Sequence, residues 1–167
     1  MFFAMDSLIP LALATLLLTA QSASASPTPA TTQACTEINA ALPGKVLTPG
    51  LLATEYGYEQ QQYWSTALRT VSPACIVQPV DAQDVSVVIK ILNKYPSVPF
   101  ATRSGGHDPN VGHATAQDGV LITMTDIVGA TYDAANNVAY VKPGGEWNDV
   151  ISDLEPSGVT ITGGRLG

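Results

Sequence analysis

Positive charge is scarce in this chain of 167 residues: seven Lys plus Arg face fourteen Asp plus Glu, for a formal net charge of −7. The basic residues are scattered singly, so no stripe exists to neutralise a phosphate backbone, and nucleic acid is not an expected partner. Histidine occurs only at His107 and His113, and cysteine only at Cys35 and Cys75. The cysteine spacing does not suit zinc, and no metal site is expected. No Asn-x-Ser/Thr sequon occurs, so N-glycosylation is not expected either. Charged residues are 13% of the chain and hydrophobic residues 46%, which fits neither a disordered chain nor a coiled coil. There is no internal repeat.

Long apolar runs are missing as well. The one substantial block, Leu8 to Ala20, is broken by Pro10, Thr15 and Thr19 and is too short for a comfortable membrane span. Ala23-Ser24-Ala25 follows with the small-x-small pattern that a signal peptidase cuts, although Met1 to Ser7 carries Asp6 and no Lys or Arg. Residues 1–25 are therefore expected to be a signal peptide cleaved after Ala25. The mature protein is expected to be secreted, with no membrane contact after signal removal. Residues 26–34, rich in Pro and Thr, read as a flexible mature N-terminus. Two cysteines in an exported chain favour one disulfide, closing a loop of about 40 residues; two buried free thiols are the alternative.

What is present reads as alternating strands and helices. A short helix is expected over Cys35 to Ala41, stopped by Pro43-Gly44. Glu55 to Ser65 reads as a loop entering a short surface helix, with Tyr56, Tyr58, Tyr63 and Trp64 as packing rather than a binding box. Ala74 to Pro79 is a short β-run. Asp81 to Tyr95 is the clearest helix: Asp81 can cap it, and Val85, Val88, Ile89 and Leu92 recur at helical spacing. Phe100 to Arg103 then reads as a strand, completing a βαβ unit that delivers the next loop at a strand's carboxyl end. Gly119 to Met124 is a buried-type strand. Ala130–Asp133 and Val138–Lys142 flank a hairpin turn at Ala135-Asn136-Asn137. Glu146 to Leu154 is helical, with Trp147, Val150 and Ile151 on one face, and Gly158 to Thr162 reads as a further strand.

The loop after Phe100–Arg103 carries the chemistry. In Ser104-Gly105-Gly106-His107, both glycines can take positive φ, so successive N–H groups can converge on an anion. Ser104 adds a hydroxyl donor and Arg103 a cation, which suits a diphosphate. His107 closes the turn with a nucleophilic nitrogen. An ordinary glycine turn with a surface histidine is the bland alternative.

In register, these pieces resemble the FAD-linked oxidases with a PCMH-type flavin domain, which include vanillyl-alcohol oxidase and the berberine-bridge-enzyme-like oxidases. The resemblance rests on Cys75-Ile-Val-Gln-Pro-Val80 before the Asp81 helix, and on Arg103-Ser-Gly-Gly-His107 with Asn110, Gly112, Asp118 and Gly119. Val141-Lys-Pro-Gly-Gly-Glu-Trp147 and Gly163-Gly164-Arg165-Leu166-Gly167 extend it, so that it runs from about Cys35 to the last residue. It implies an α+β fold: residues 35–167 as the N-terminal part of a PCMH-type FAD-binding domain. That part is a βαβ-containing subdomain and the start of a second, without the rest of the domain.

The resemblance further implies FAD, attached covalently through His107, with Arg103, Ser104, Gly105, Gly106, Gly163 and Gly164 around the cofactor and Cys35 paired with Cys75. Whether Arg103 touches phosphate or only packs stays open. Asp108 reads as a turn residue, and His113 as packing or exposed. Leu166 stands where some relatives carry a second attachment cysteine, so single attachment is expected. The implied function is hydride transfer from an alcohol or related C–H donor of a small-molecule substrate, with oxygen as the expected acceptor, in secondary metabolism or carbohydrate oxidation. No general base can be nominated. The alternatives are a truncated, catalytically silent flavin-domain piece and a small secreted binding protein.

Overall fold

The computed structural model describes residues 26–51 and 53–164; the expected signal peptide and Arg165-Leu166-Gly167 lie outside the described residues. The first element is α1, Pro29–Ala41. It starts six residues before the expected helix, so the flexible N-terminus reduces to the first few residues. The reason is a cap: Thr28 accepts the Thr31 N–H through its hydroxyl, and Pro29 fits the first helical turn, where no N–H partner is needed. Thr31 and Ala34 are buried, so this start is packed.

After β1 (Val46–Leu47) and α2 (Thr54–Gln60) come β2 (Cys75–Val77), α3 (Ala82–Leu92) and β3 (Phe100–Arg103). Asp81 caps α3 as expected, accepting the Asp84 N–H at 2.8 Å. The expected βαβ unit is present, but its two strands are not neighbours. β4 (Val120–Thr123) lies between them, parallel to both, in the order β1-β2-β4-β3. The carboxyl ends of three parallel strands therefore share one edge. A separate hairpin joins β5 (Ala130–Asp133) to β6 (Val138–Val141), with Asn137 at φ 52 in its turn. Helix α4, Trp147–Leu154, buries Val150 and Leu154, whereas Ile151 is exposed. Gly158 to Thr162 pairs with no strand among the described residues, contrary to expectation; most of it faces solvent, where no ladder partner reaches it.

Side-chain alternation sorts the core into two layers. Cys75, Val77, Val120 and Ile122 face α1 and α3, meeting Ile38, Val88 and Leu92. Ile76, Leu121 and Ala101 point the other way and meet Tyr56 of α2 and Ala116. The Cys35–Cys75 disulfide pins α1 to β2 across the first layer, with Cα atoms 6.1 Å apart. Closing a loop of that length contributes about 3–4 kcal/mol by restricting the unfolded chain. Among the described residues no helix is long and apolar enough to cross a membrane.

Four carboxylates are held below their usual range. Tyr95 and then Lys94 hydrogen-bond Glu37, Lys45 bonds Asp84 at 2.6 Å, the Asn110 N–H and then His113 bond Asp108, and Asn136 bonds Asp133. With folded pKa values below the unfolded ones, the unfolded chain binds more protons in acid. The stability from these groups is complete above about pH 4–5 and is lost as pH falls through the folded values. Burial acts in the opposite sense on Tyr56, whose hydroxyl donates to the Pro73 carbonyl and is pushed up to about 12. Its contribution is complete below about pH 10 and is lost as pH rises toward 12. Urea midpoints are expected to be flat from about pH 6 to 9 and to fall at pH 3 and pH 11. An unchanged midpoint at pH 3 would show that these carboxylate bonds do not form.

Candidate functional site

A groove of ≈ 1290 Å³ opens at the shared carboxyl edge of the sheet. It is walled by the loop after β3 (Ser104, Gly105, His107), by the segment after β4 (Thr125, Asp126, Val128) and by the turn into α4 (Gly144 to Trp147). Gly164 closes it, so three separate glycine stretches of the sequence meet in one place. Parallel strands make such an edge a common binding position, because their loops all leave on the same side.

The β3 loop is built from beneath. Ala101 and Arg103 alternate onto the α2 side of the sheet, so the Arg103 guanidinium is driven into the protein and is 1% exposed. There Nη1 donates to the Glu59 carbonyl at 2.6 Å, Nη2 pairs with the Glu59 carboxylate, and Cζ lies 4.9 Å from the Tyr63 ring centroid. Burial of this kind corrects the expected diphosphate contact: Arg103 supports the loop from behind and does not reach its outer face. Only Gly106 takes positive φ, 67°; Gly105 does not, which corrects the expectation for the pair. A Cβ at Gly106 would stand 2.6 Å from the Gln62 carbonyl, so the floor tolerates glycine alone. The Trp64 N–H donates to the Gly106 carbonyl at 3.2 Å, stitching the same floor to the loop.

Above that floor Ser104, Gly105 and His107 are exposed. The Ser104 hydroxyl donates to the Pro143 carbonyl and ties two walls of the groove together, so it does not stand free for an anion as expected. Among the described residues, neither the Gly105 nor the His107 N–H makes a hydrogen bond, and both can serve a ligand. The His107 ring makes no hydrogen bond to the described residues, leaving its nitrogens accessible. Asp108 turns the chain by accepting the Asn110 N–H at 2.9 Å and pairs with His113 Nδ1 at 2.8 Å, and His113 is exposed.

Gly163 and Gly164 lie on the Trp147 indole: a Cβ at either would sit 2.3 Å from a ring atom. The backbone of this second glycine stretch thus packs face-on against an aromatic plate of the groove. Helix α4 begins there with Glu146 in the N-cap position and no side-chain cap, so the positive end of its dipole opens on the groove. Sequence reasoning missed several lining residues. Tyr58 and Trp64 are 66% and 68% exposed and stand on the groove, although the aromatics of that segment read as packing. Tyr56 and Tyr63 do pack. Arg69, also on the groove, carries no motif that could have marked it.

Comparison with known proteins bears on the family and the fold. Residues 73–164 match the family described as FAD binding domain. An uncharacterized FAD-linked oxidoreductase of Arthroderma benhamiae is 38% identical over 115 residues, covering 69% of this chain and 23% of that protein. An FAD-dependent monooxygenase of Emericella nidulans is 33% identical over 132 residues, covering 78% of this chain and 27% of that protein. The chain thus spans about a quarter of the length of these relatives. Wild-type BBE-like 1 of Physcomitrella patens superposes with a TM-score of 0.60 at 20% identity, over 74% of this chain and 26% of that one. That last likeness establishes the fold.

Proposed function

This chain belongs to the FAD binding domain family of FAD-linked oxidoreductases, and from that membership we propose that its groove holds the FAD of a secreted oxidoreductase, tethered through His107. The observation that carries the reading is the meeting of Ser104, Gly105 and His107, Gly144-Gly145 and Gly164 around one cavity, from stretches far apart in sequence. Backbone fits a dinucleotide there. A Cβ at Gly105 would meet only the His107 ring, at 3.6 Å, so the loop offers open backbone rather than bulk. The unbonded N–H groups of Gly105 and His107 supply partial positive charge for a diphosphate.

FAD, when bound, supplies acceptance of a hydride from a C–H donor and its delivery to an acceptor, here proposed to be oxygen. The chain's own residues orient that group and keep it in place. His107, exposed at the end of a loop locked from below, would hold it as a permanent attachment, which suits a protein that leaves the cell. We place the whole protein's substrate among small alcohols or related C–H donors.

Acid precipitation of the secreted protein tests this reading. Flavin absorbance is expected to stay with the polypeptide, and a flavin mass with the peptide that begins at Ser104. In His107→Ala the colour is expected to wash out completely. A folded, colourless parent protein would overturn the flavin reading, and colour retained covalently by His107→Ala would move the tether elsewhere.

A further inference from the structure

With Arg103 buried, any cation that faces the groove must come from elsewhere in the chain. Resting on the flavin reading above, we propose that Arg69 binds the diphosphate of the cofactor. Among the described residues it is the one Lys or Arg that lines the groove. Its guanidinium is already fixed: Nε and Nη2 both donate to the Tyr63 carbonyl, at 3.1 and 2.8 Å. Nη1 has no partner among the described residues, so the fork presents a donor edge without the entropy cost of ordering a long side chain.

Tyr63 connects Arg69 to the loop. Its Cα and Cδ1 lie 3.4 and 3.5 Å from where a Gly106 Cβ would stand, and the next residue, Trp64, bonds the Gly106 carbonyl. Arg69 and the free N–H groups of Gly105 and His107 are thus held by one piece of floor. Charge gives the same direction. Asp126, Glu146 and Asp149 line the groove without an ion pair among the described residues, while the Glu59 carboxylate is already neutralised by Arg103. Among these unpaired acids Arg69 is the one guanidinium on the groove, so an anion's favourable charge contact there is with it.

The test uses the full chain carrying His107→Ala, so that binding is reversible, titrated with FAD and with riboflavin, which lacks the diphosphate. Arg69→Ala removes the guanidinium; Arg69→Gln deletes only the charge and keeps an N–H donor for the Tyr63 carbonyl. Both are expected to weaken FAD about tenfold to a hundredfold, the loss of a charge-assisted contact. Riboflavin affinity is expected to stay within about twofold, and high salt to narrow the gap for FAD. Unchanged FAD affinity in Arg69→Gln would overturn the assignment while the flavin reading stands. An equal loss for FAD and riboflavin would make Arg69 a support of the loop and overturn it too. If neither the parent chain nor His107→Ala takes up FAD, the flavin reading falls and this inference with it.

Discussion

Glu59→Ala is expected to lower the unfolding free energy by about 3–5 kcal/mol, measured by urea denaturation, because it strands a buried guanidinium. The Arg103 side chain is wholly buried and Glu59 nearly so, and Nε of Arg103 already lacks a partner. Removing the carboxylate leaves Arg103 with the Glu59 carbonyl and the Tyr63 face as its remaining partners. Two controls separate a stranded charge from lost packing. Glu59→Gln keeps volume and an acceptor, and is expected to cost clearly less. The double variant Glu59→Leu with Arg103→Met removes both charges and is expected to recover much of the loss, since an apolar pair can replace a buried ion pair. A loss below about 1 kcal/mol in Glu59→Ala would mean that water reaches the guanidinium. The effect should extend to the site, because Arg103 directly precedes Ser104.

Gly144→Ala should have a comparable effect, about 3–5 kcal/mol, at the upper end of single substitutions. A Cβ there would stand 1.8 Å from the Met124 carbonyl oxygen and 3.0 Å from that of Ile127. Both obstacles are backbone, and the Gly144 N–H is itself bonded to the Ile127 carbonyl at 2.9 Å, so no rotamer change gives relief. The turn must move away from the end of β4. Since Gly144 and Gly145 wall the groove, flavin retention is expected to fall together with thermal stability. Gly57→Ala is the matched control. Gly57 lies in α2 with nothing within 4 Å of its Cβ position, so alanine is expected to be neutral or to add about 0.5–1 kcal/mol there. Equal behaviour of the two variants would refute the close approach at Gly144.

Much of the architecture was legible because its signals are local. The Asp81 cap and the helical spacing of Val85, Val88, Ile89 and Leu92 mark α3 whatever surrounds it, and of these the structure buries Val88 and Leu92. Val138 and its neighbours pair with β5 because the Asn turn allows it. The errors lie where a local signal met a tertiary partner. The stretch from Ser26 reads as loose, yet a Thr28 cap and a buried Ala34 extend the helix back to Pro29. Gly158 to Thr162 is strand-like in composition but has no partner strand among the described residues. An isolated extended segment earns no ladder energy.

At the site the division is sharper. By itself the sequence marked the stretch proposed to hold the cofactor: a glycine turn that ends in His107 after a parallel strand, with a pair of glycines further on. It did so because glycine backbone freedom, strand alternation and helix caps act within a few residues. Only the tertiary structure decided which side chains stand on the groove. Arg103 and Arg69 are both arginines near aromatics, and nothing local ranks them. The parity of β3 sends Arg103 under the sheet to Glu59, while the carbonyl of Tyr63 holds Arg69 at the groove. The exposure of a cation depends on what the rest of the chain packs against it, and that is set by contacts 44 residues apart in sequence, as between Glu59 and Arg103.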